Sequence, residues 1–171
     1  ASVVAIIIGG LLGVFIYEYK RLAAPVMVVV NFLYTIPSIS MLGLLLYVSG
    51  VGNTTAVIAL VIYALLPMVR NTFTGLDQIK SDMREAGLAV GLTRLQRLWN
   101  IEIPLAMPTI MAGIRTMLVM TIALTGIASF IGAGGLGVAI YRGITTNQSA
   151  LTIAGSLLIA LLAITVDALF S

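Results

Sequence analysis

The sequence predicts an all-α membrane protein of about five transmembrane helices, and three observations carry that prediction. Of its 171 residues, 60% are hydrophobic and only 9% are charged, against a charged share of roughly 25% in ordinary soluble domains. Mean hydropathy is +1.15. The apolar residues fall in runs close to the roughly 20 residues that a bilayer-spanning helix needs, and eight of the fifteen charges collect in one stretch, Asp77 to Pro104. Cysteine and histidine are both absent, which excludes disulfides, thiolate chemistry, histidine metal sites and histidine general bases. No metal site is expected.

The chain opens inside an apolar run, ASVVAIIIGGLLGVFIY, without an initiator Met or the basic start of a signal peptide. Ala1 to about Tyr17 reads as the remnant of a first span, so the natural chain is expected to begin earlier. Glu18, Lys20 and Arg21 form a polar turn, and Ala24 to Val48 is a second span interrupted by Pro37. A proline removes a backbone donor and clashes with the preceding turn, so a kink or discontinuity is expected around Tyr34, Pro37 and Ser38. Such kinks line pathways in some membrane proteins and serve ordinary packing in others. Gly50 to Thr54 is a tight turn, Thr55 to Val69 a third span ending at Pro67 and Arg70, Leu105 to about Thr125 a fourth, Ile127 to Gln148 a glycine-rich linker, and Ala150 to Phe170 a fifth.

Between the third and fourth spans, Asp77 to Pro104 reads as two short helices broken at Gly91. Leu76, Ile79, Met83, Ala86 and Val90 recur at spacings of three and four and form an apolar stripe; Asp77, Lys80, Ser81, Arg84 and Glu85 take the other face. Thr74 is placed to cap the first helix, Gly91 to end it in a left-handed conformation, and Thr93 with Gln96 to open the second as a capping box. Pro104 then begins a new element. On patterning alone the segment could equally be a solvated amphipathic loop.

Seven of the nine Lys and Arg residues flank or occupy this hairpin or the Lys20–Arg21 turn. By the positive-inside rule that side is cytoplasmic, which puts the N-terminus outside and the C-terminus inside. The net charge of +3 is therefore a topology signal, and no nucleic-acid partner is expected. Arg115 is the charge left within a span, about ten residues into the fourth. An ionisable group there is costly unless it faces protein or water. It either snorkels to the inner interface or faces the bundle or a dimer seam, with Asp167 as candidate partner although their depths differ by about two turns.

The run Glu85-Ala86-Gly87, then Gly91, Ile101 and Ile103-Pro104 resembles the EAA loop of ABC importer permeases, whose pattern is Glu-Ala-Ala, three residues, Gly, nine residues, Ile, one residue, Leu-Pro. Gly87 and Ile103 depart from it by small or apolar replacements. Met111-Ala-Gly-Ile-Arg-Thr116, Ile131-Gly-Ala-Gly-Gly-Leu-Gly137, and Leu66-Pro67 with Arg70-Asn71-Thr72 are similar to permeases for quaternary-amine osmoprotectants such as glycine betaine, carnitine or choline. Methionine-type permeases share the glycine-rich turn. The resemblance covers nearly the whole chain, 1–171, as a single transmembrane domain.

That resemblance implies a multi-pass subunit of a bacterial cytoplasmic membrane that does no covalent chemistry. Its partners would be cytoplasmic ATPase subunits carrying ATP and magnesium, a second permease subunit forming a homodimer, an external binding protein or fused domain after Ser171, and membrane lipid; the chain itself would need no cofactor. Arg84, Glu85, Ala86, Gly87, Gly91, Arg94, Arg97, Ile101 and Pro104 would form the ATPase-coupling loop, with Glu85 as anchor and the three arginines as rim. Tyr34, Pro37, Arg115, Phe130, Gly132, Gly134, Gly135 and Gly137 are the pathway or gate candidates. The glycines of the 129–144 linker suit a close-packed re-entrant turn; the segment lacks the Gly-Lys-Ser/Thr ending of a phosphate loop. Tyr34, Tyr47, Tyr63, Phe130 and Tyr141 could meet a quaternary ammonium by cation–π contact or simply anchor span ends. An ion-coupled secondary transporter would call for paired repeats and intramembrane carboxylates, and a membrane hydrolase for an activated nucleophile; the sequence offers little for either.

Overall fold

The structure, a computed structural model, describes residues 1–170. Among them every regular element is helical: α1 (Ser2–Glu18), α2 (Lys20–Thr35), α3 (Ser38–Ser49), α4 (Asn53–Asp77), α5 (Ser81–Ala89), α6 (Arg94–Arg97), a π turn (Leu98–Glu102), α7 (Ile103–Ala128), a 3-10 turn (Ser129–Ile131), α8 (Gly137–Thr145) and α9 (Ser149–Leu169). By length and apolarity, three units in the described residues can cross a membrane: Asn53–Asp77, the continuous Arg94–Ile131 and Ser149–Leu169. The α2–α3 pair makes a fourth if counted as one span, and α1, with 17 residues, is shorter.

α4 is the central helix, and small residues let its neighbours approach. Gly9 and Gly13 sit four apart on α1, and a Cβ at either would come within 2.6 Å of the Cβ of Met68 or Thr72 respectively. This is the small-residue spacing that brings backbones together where lipid gives no hydrophobic push between helices. The pairing of Gly9 with Met68 and Gly13 with Thr72 makes α1 and α4 parallel. On another face of α4, Gly113 of α7 meets the Asn71 Cβ equally closely, with α7 antiparallel. Met68, Ala64 and Met117 join Ala5 in one buried cluster between the three helices.

Several boundaries differ from those the sequence suggested. The third span does not end at Pro67: α4 runs on to Asp77, because the bond lost at Pro67 is one among many in a helix packed by α1 and α7. Thr74 consequently lies within α4 and caps nothing; α5 starts instead after Lys80, with no side-chain cap. The second span begins earlier, at Lys20, and its break is sharper than a kink, with α2 and α3 meeting at 98°. The carbonyl of Ile36 at that break accepts a hydrogen bond from the hydroxyl of the buried Tyr63. The hairpin's second arm does not stop before Pro104. Proline has no N–H to give an α-helical ladder, and the π turn directly precedes it, with the Ile103 amide reaching back to the Leu98 carbonyl. The 127–148 linker contains a helix of its own, α8, which packs on α9: Gly143 lies against Thr152 and Gly155 against Ile140.

Candidate functional site

The hairpin projects from the end of the bundle where α1 and α4 finish and α7 begins. Its first arm is closed as expected. Gly91 has φ of +76°, the Leu92 amide donates to the Gly87 carbonyl at 3.1 Å, and the Gly91 amide donates to that of Leu88 at 2.9 Å, the two bonds of a Schellman turn. The second arm opens with the expected capping box: Thr93 accepts from the Gln96 amide while the Gln96 side chain accepts from the Thr93 amide at 2.9 Å. Gly87 is buried where the arms touch, and a Cβ there would lie 3.0 Å from Ile101 Cδ1 and 3.2 Å from Arg97 Cγ.

The face presented by α5 is the reverse of the one its periodicity suggests. The apolar stripe assumed one helix from Leu76 onward, but the break at Gln78–Lys80 rotates α5 relative to α4. Leu76 is fully buried in α4, whereas Met83, Ala86, Leu88 and Val90 point outward, Val90 with 74% of its surface exposed. Inward are Arg84 and Gly87. Leu95 and Trp99 of the second arm are also exposed, so the hairpin carries an apolar patch beyond the spans, with Glu85 exposed beside it. Among the described residues no salt bridge engages Glu85.

The three hairpin arginines are all engaged within the chain. The Arg84 guanidinium lies 5.3 Å from the centre of the Tyr17 ring and donates to the Leu76 carbonyl at 2.9 Å. Arg97 Nε donates to Glu102 Oε1 at 2.9 Å, and Glu102 is 1% exposed. Arg94 pairs with Glu18, and Lys20 with Asp77 at 2.7 Å. Pro104 sits in the first turn of α7, and Ile101, in the π turn, backs Gly87. Sequence reasoning missed Tyr17 and Glu18 as partners of the hairpin and Glu102 as the partner of Arg97 within it. An aromatic-acidic-aromatic-basic run at a span end, Tyr17 to Lys20, was the available signal.

The pathway candidates divide between two places. Tyr34 and Pro37 lie at the α2–α3 break, where the Tyr34 and Tyr63 rings meet edge-on at 6.2 Å and the Tyr34 hydroxyl donates to Met120 Sδ at 3.5 Å. Ile36, Leu124, Ile127 and Ile131 pack with Tyr63 in the adjoining cluster. At the end remote from the hairpin, Gly132 in a left-handed conformation rests against Val51, and the Gly134 amide donates to Asn53 Oδ1 at 3.0 Å. Gly135 also has positive φ, and Gly137 is pressed on the Gly126 backbone, its virtual Cβ 2.7 Å from that carbonyl oxygen. Phe130 stacks edge-on with Tyr141 at 5.2 Å and lines an apolar crevice of about 440 Å³ with Ile140, Ile144 and Ile159.

Arg115 is apart from both places, paired with Asp167: Nε to Oδ1 is 2.5 Å and Nη2 to Oδ2 is 2.6 Å. The two-turn offset expected between them shrinks because α8 fills the space beside the end of α7 and sets α9 deeper. Gly126 faces Ile159, so Arg115 lies eleven residues and Asp167 eight residues along from one level. The remaining three residues, ~4.5 Å of rise, are within the reach of an arginine side chain.

Long apolar helices closely packed through glycines, a broken span, and a polar hairpin carried off one end define a membrane-embedded transport subunit. Residues 5–171 match the model of the binding-protein-dependent transport system inner membrane component family, and the chain belongs to that family. It is 48% identical over 168 residues to the osmoprotectant import permease protein OsmW of Salmonella typhimurium, covering 95% of this chain and 78% of that protein. It is 45% identical over 164 residues to the glycine betaine/carnitine/choline transport system permease protein OpuCD of Bacillus subtilis, covering 95% of this chain and 72% of the relative. Its fold is shared with a chain of the MetNI methionine ABC transporter in an inward-facing conformation, at a TM-score of 0.87 and 22% identity, covering 99% of this chain and 87% of that one.

Proposed function

We infer that this chain is the permease subunit of an ATP-driven importer for a small zwitterionic or quaternary-ammonium osmoprotectant, with the hairpin as its contact with a separate ATPase subunit. One observation carries the mechanical part. Glu85 is exposed and unpaired within the described residues beside exposed Met83, Leu88 and Val90, on a compact helix outside the spans. An apolar helical face with a charged anchor is what a groove on a soluble partner accepts.

In this reading ATP and magnesium bind the partner, the permease performs no catalysis, and closure of the ATPase pair displaces the hairpin as a rigid body. The basic residues at the hairpin end support a cytoplasmic position for that end. Counting α1 and the bent pair as spans then gives five, with the N-terminus outside and the C-terminus inside. A second permease subunit completes the pathway, and an external binding domain, separate or fused, delivers the solute. The substrate class is supported by the names of relatives at 45–48% identity, whereas the methionine transporter likeness at 22% supports only the fold. An ion-coupled carrier is disfavoured because Asp167 of α9 is already held by Arg115, and Glu18 and Asp77, at the ends of α1 and α4, by Arg94 and Lys20.

Co-expression of the permease with its cognate ATPase tests the reading. The two should co-isolate, and reconstituted vesicles should accumulate betaine, carnitine or choline only while ATP is hydrolysed. Glu85→Lys should leave the subunit inserted and abolish both co-isolation and uptake. Uptake at the wild-type rate by that variant refutes the assignment of the hairpin.

A further inference from the structure

α4 ends at Asp77 without the usual means of closing a helix. Its last turn holds no basic residue, and Gln78, which follows it, is right-handed at φ of −74° and ψ of −7°, where a left-handed glycine is common. The final carbonyls are met from outside the helix instead. Arg84 Nη2, on α5, donates to the Leu76 carbonyl at 2.9 Å and to the Asp77 carbonyl at 3.4 Å. The same guanidinium lies 5.3 Å from the centre of the Tyr17 ring, and Tyr17, 7% exposed, shares a buried cluster with Leu76. A cation is favoured there twice over, by the negative end of the helix dipole and by the ring face.

Packing alone does not call for this residue. Nε of Arg84 is buried with no hydrogen-bond partner among the described residues, a cost that an apolar side chain covering Tyr17 would avoid. What the guanidinium supplies is direction. α5 rests on the second arm through Gly87, which faces Ile101 and Arg97, while Met83 and Leu88 are exposed. Among the described residues, the side-chain hydrogen bonds from α5 to α4 are both made by Arg84. Apolar contact is non-directional and lets one helix slide on another; a guanidinium held by two successive carbonyls and a ring fixes an angle.

We propose that Arg84 is a positioning residue of the coupling step: it closes the end of α4 from outside and sets the angle of α5 to that central helix. Displacement of the hairpin then reaches α4 directly, as well as by way of the second arm and α7. The proposal rests on the hairpin being the ATPase contact, and it takes Arg84 out of that contact: the residue faces its own bundle, and the docking surface is the opposite face of α5. Without Arg84 the hairpin would still dock and hydrolysis would proceed, with less movement delivered per cycle.

The test uses the whole transporter, permease with ATPase and binding domain, reconstituted in vesicles, and reads solute taken up per ATP hydrolysed beside the affinity of permease for ATPase. Arg84→Met keeps an apolar stem over Tyr17 and removes the donors and the charge; Arg84→Lys keeps the charge and loses the planar group. Arg84→Met should bind the ATPase as wild type does and hydrolyse ATP, with uptake per ATP reduced on the order of tenfold, as the loss of a charge-assisted hydrogen bond implies. Hydrogen exchange at the Gln78 and Ile79 amides, which bond to the Thr74 and Leu76 carbonyls, should quicken by a similar factor. Arg84→Lys should fall between Met and wild type in both. A wild-type ratio in Arg84→Met overturns the proposal. So does a weakened ATPase affinity, which would make Arg84 a docking residue, and so does a parallel fall of uptake and hydrolysis at constant ratio, which marks a purely structural role. If Arg84→Met does not insert, Arg84→Lys decides alone by the same criteria. Failure of the wild-type permease to co-isolate with the ATPase is a separate result: it refutes the coupling reading, and the positioning role falls with it.

Discussion

Gly91 offers a substitution whose cost can be assigned to one cause. Its φ of +76° belongs to the left-handed region, and a Cβ added there meets nothing within 4 Å. Sterics with neighbours therefore contribute nothing, and the penalty is the backbone's own: about 1–2 kcal/mol for an L-residue, smallest for Asn and greatest for a β-branched residue. A change of that size alters an equilibrium about 5- to 30-fold. The quantity affected is the closed state of the Schellman turn, reported by the amides of Gly87 to Leu92. Hydrogen exchange with mass spectrometry on the solubilised subunit should show protection of this segment falling in the order Gly, Asn, Ala, Val. Ala should lie about 5- to 30-fold below wild type, and α4 and α7 should be unchanged. If Asn and Ala exchange like Gly and only Val is affected, size rather than dihedral angle controls the turn and the reasoning is wrong.

Gly13→Val should destabilise the bundle by about 1–3 kcal/mol, because the added Cβ falls 2.6 Å from that of Thr72, whereas Gly10→Ala, with open space around it, should be neutral; thermal unfolding in detergent separates the two, and equal midpoints would exclude close α1–α4 contact. Arg115→Ala and Asp167→Asn should each lower the thermal midpoint and weaken retention of α9, and the exchange Arg115→Asp with Asp167→Arg should recover at least half of the loss. Single variants as stable as wild type would show the pair to be idle.

Much of this architecture is legible from residue type and spacing. Apolar run lengths give α4, α7 and α9, Pro37 gives the broken span, and Gly91 and the Thr93–Gln96 pair give the hairpin's turns, because each depends on a local backbone rule. The Arg115–Asp167 pairing was legible as chemistry but not as depth, since the shift introduced by α8 is a property of three packed elements. What the sequence hid is the aim of α5. Periodicity identifies an apolar face without saying whether it turns inward, and here the break at Gln78–Lys80 turned Met83 and Val90 to the outside. The inward roles of Arg84 and Arg97 were hidden for a related reason: their partners Tyr17 and Glu102 stand 67 and five residues away, and only the fold brings the four together.

The π turn at Leu98–Glu102 deserves a last consequence. It makes α6, α7 and the 3-10 turn a continuous helical rod of 38 residues, Arg94–Ile131, on the order of 57 Å long. One surplus residue inside such a rod acts as a phase setting, since each residue advances the helix by ~100°. It determines the compass bearing of the hairpin relative to the glycine turn at the far end. Shortening the rod by one residue there would turn its Arg94 end about a quarter-turn and pull Arg94 and Arg97 away from Glu18 and Glu102.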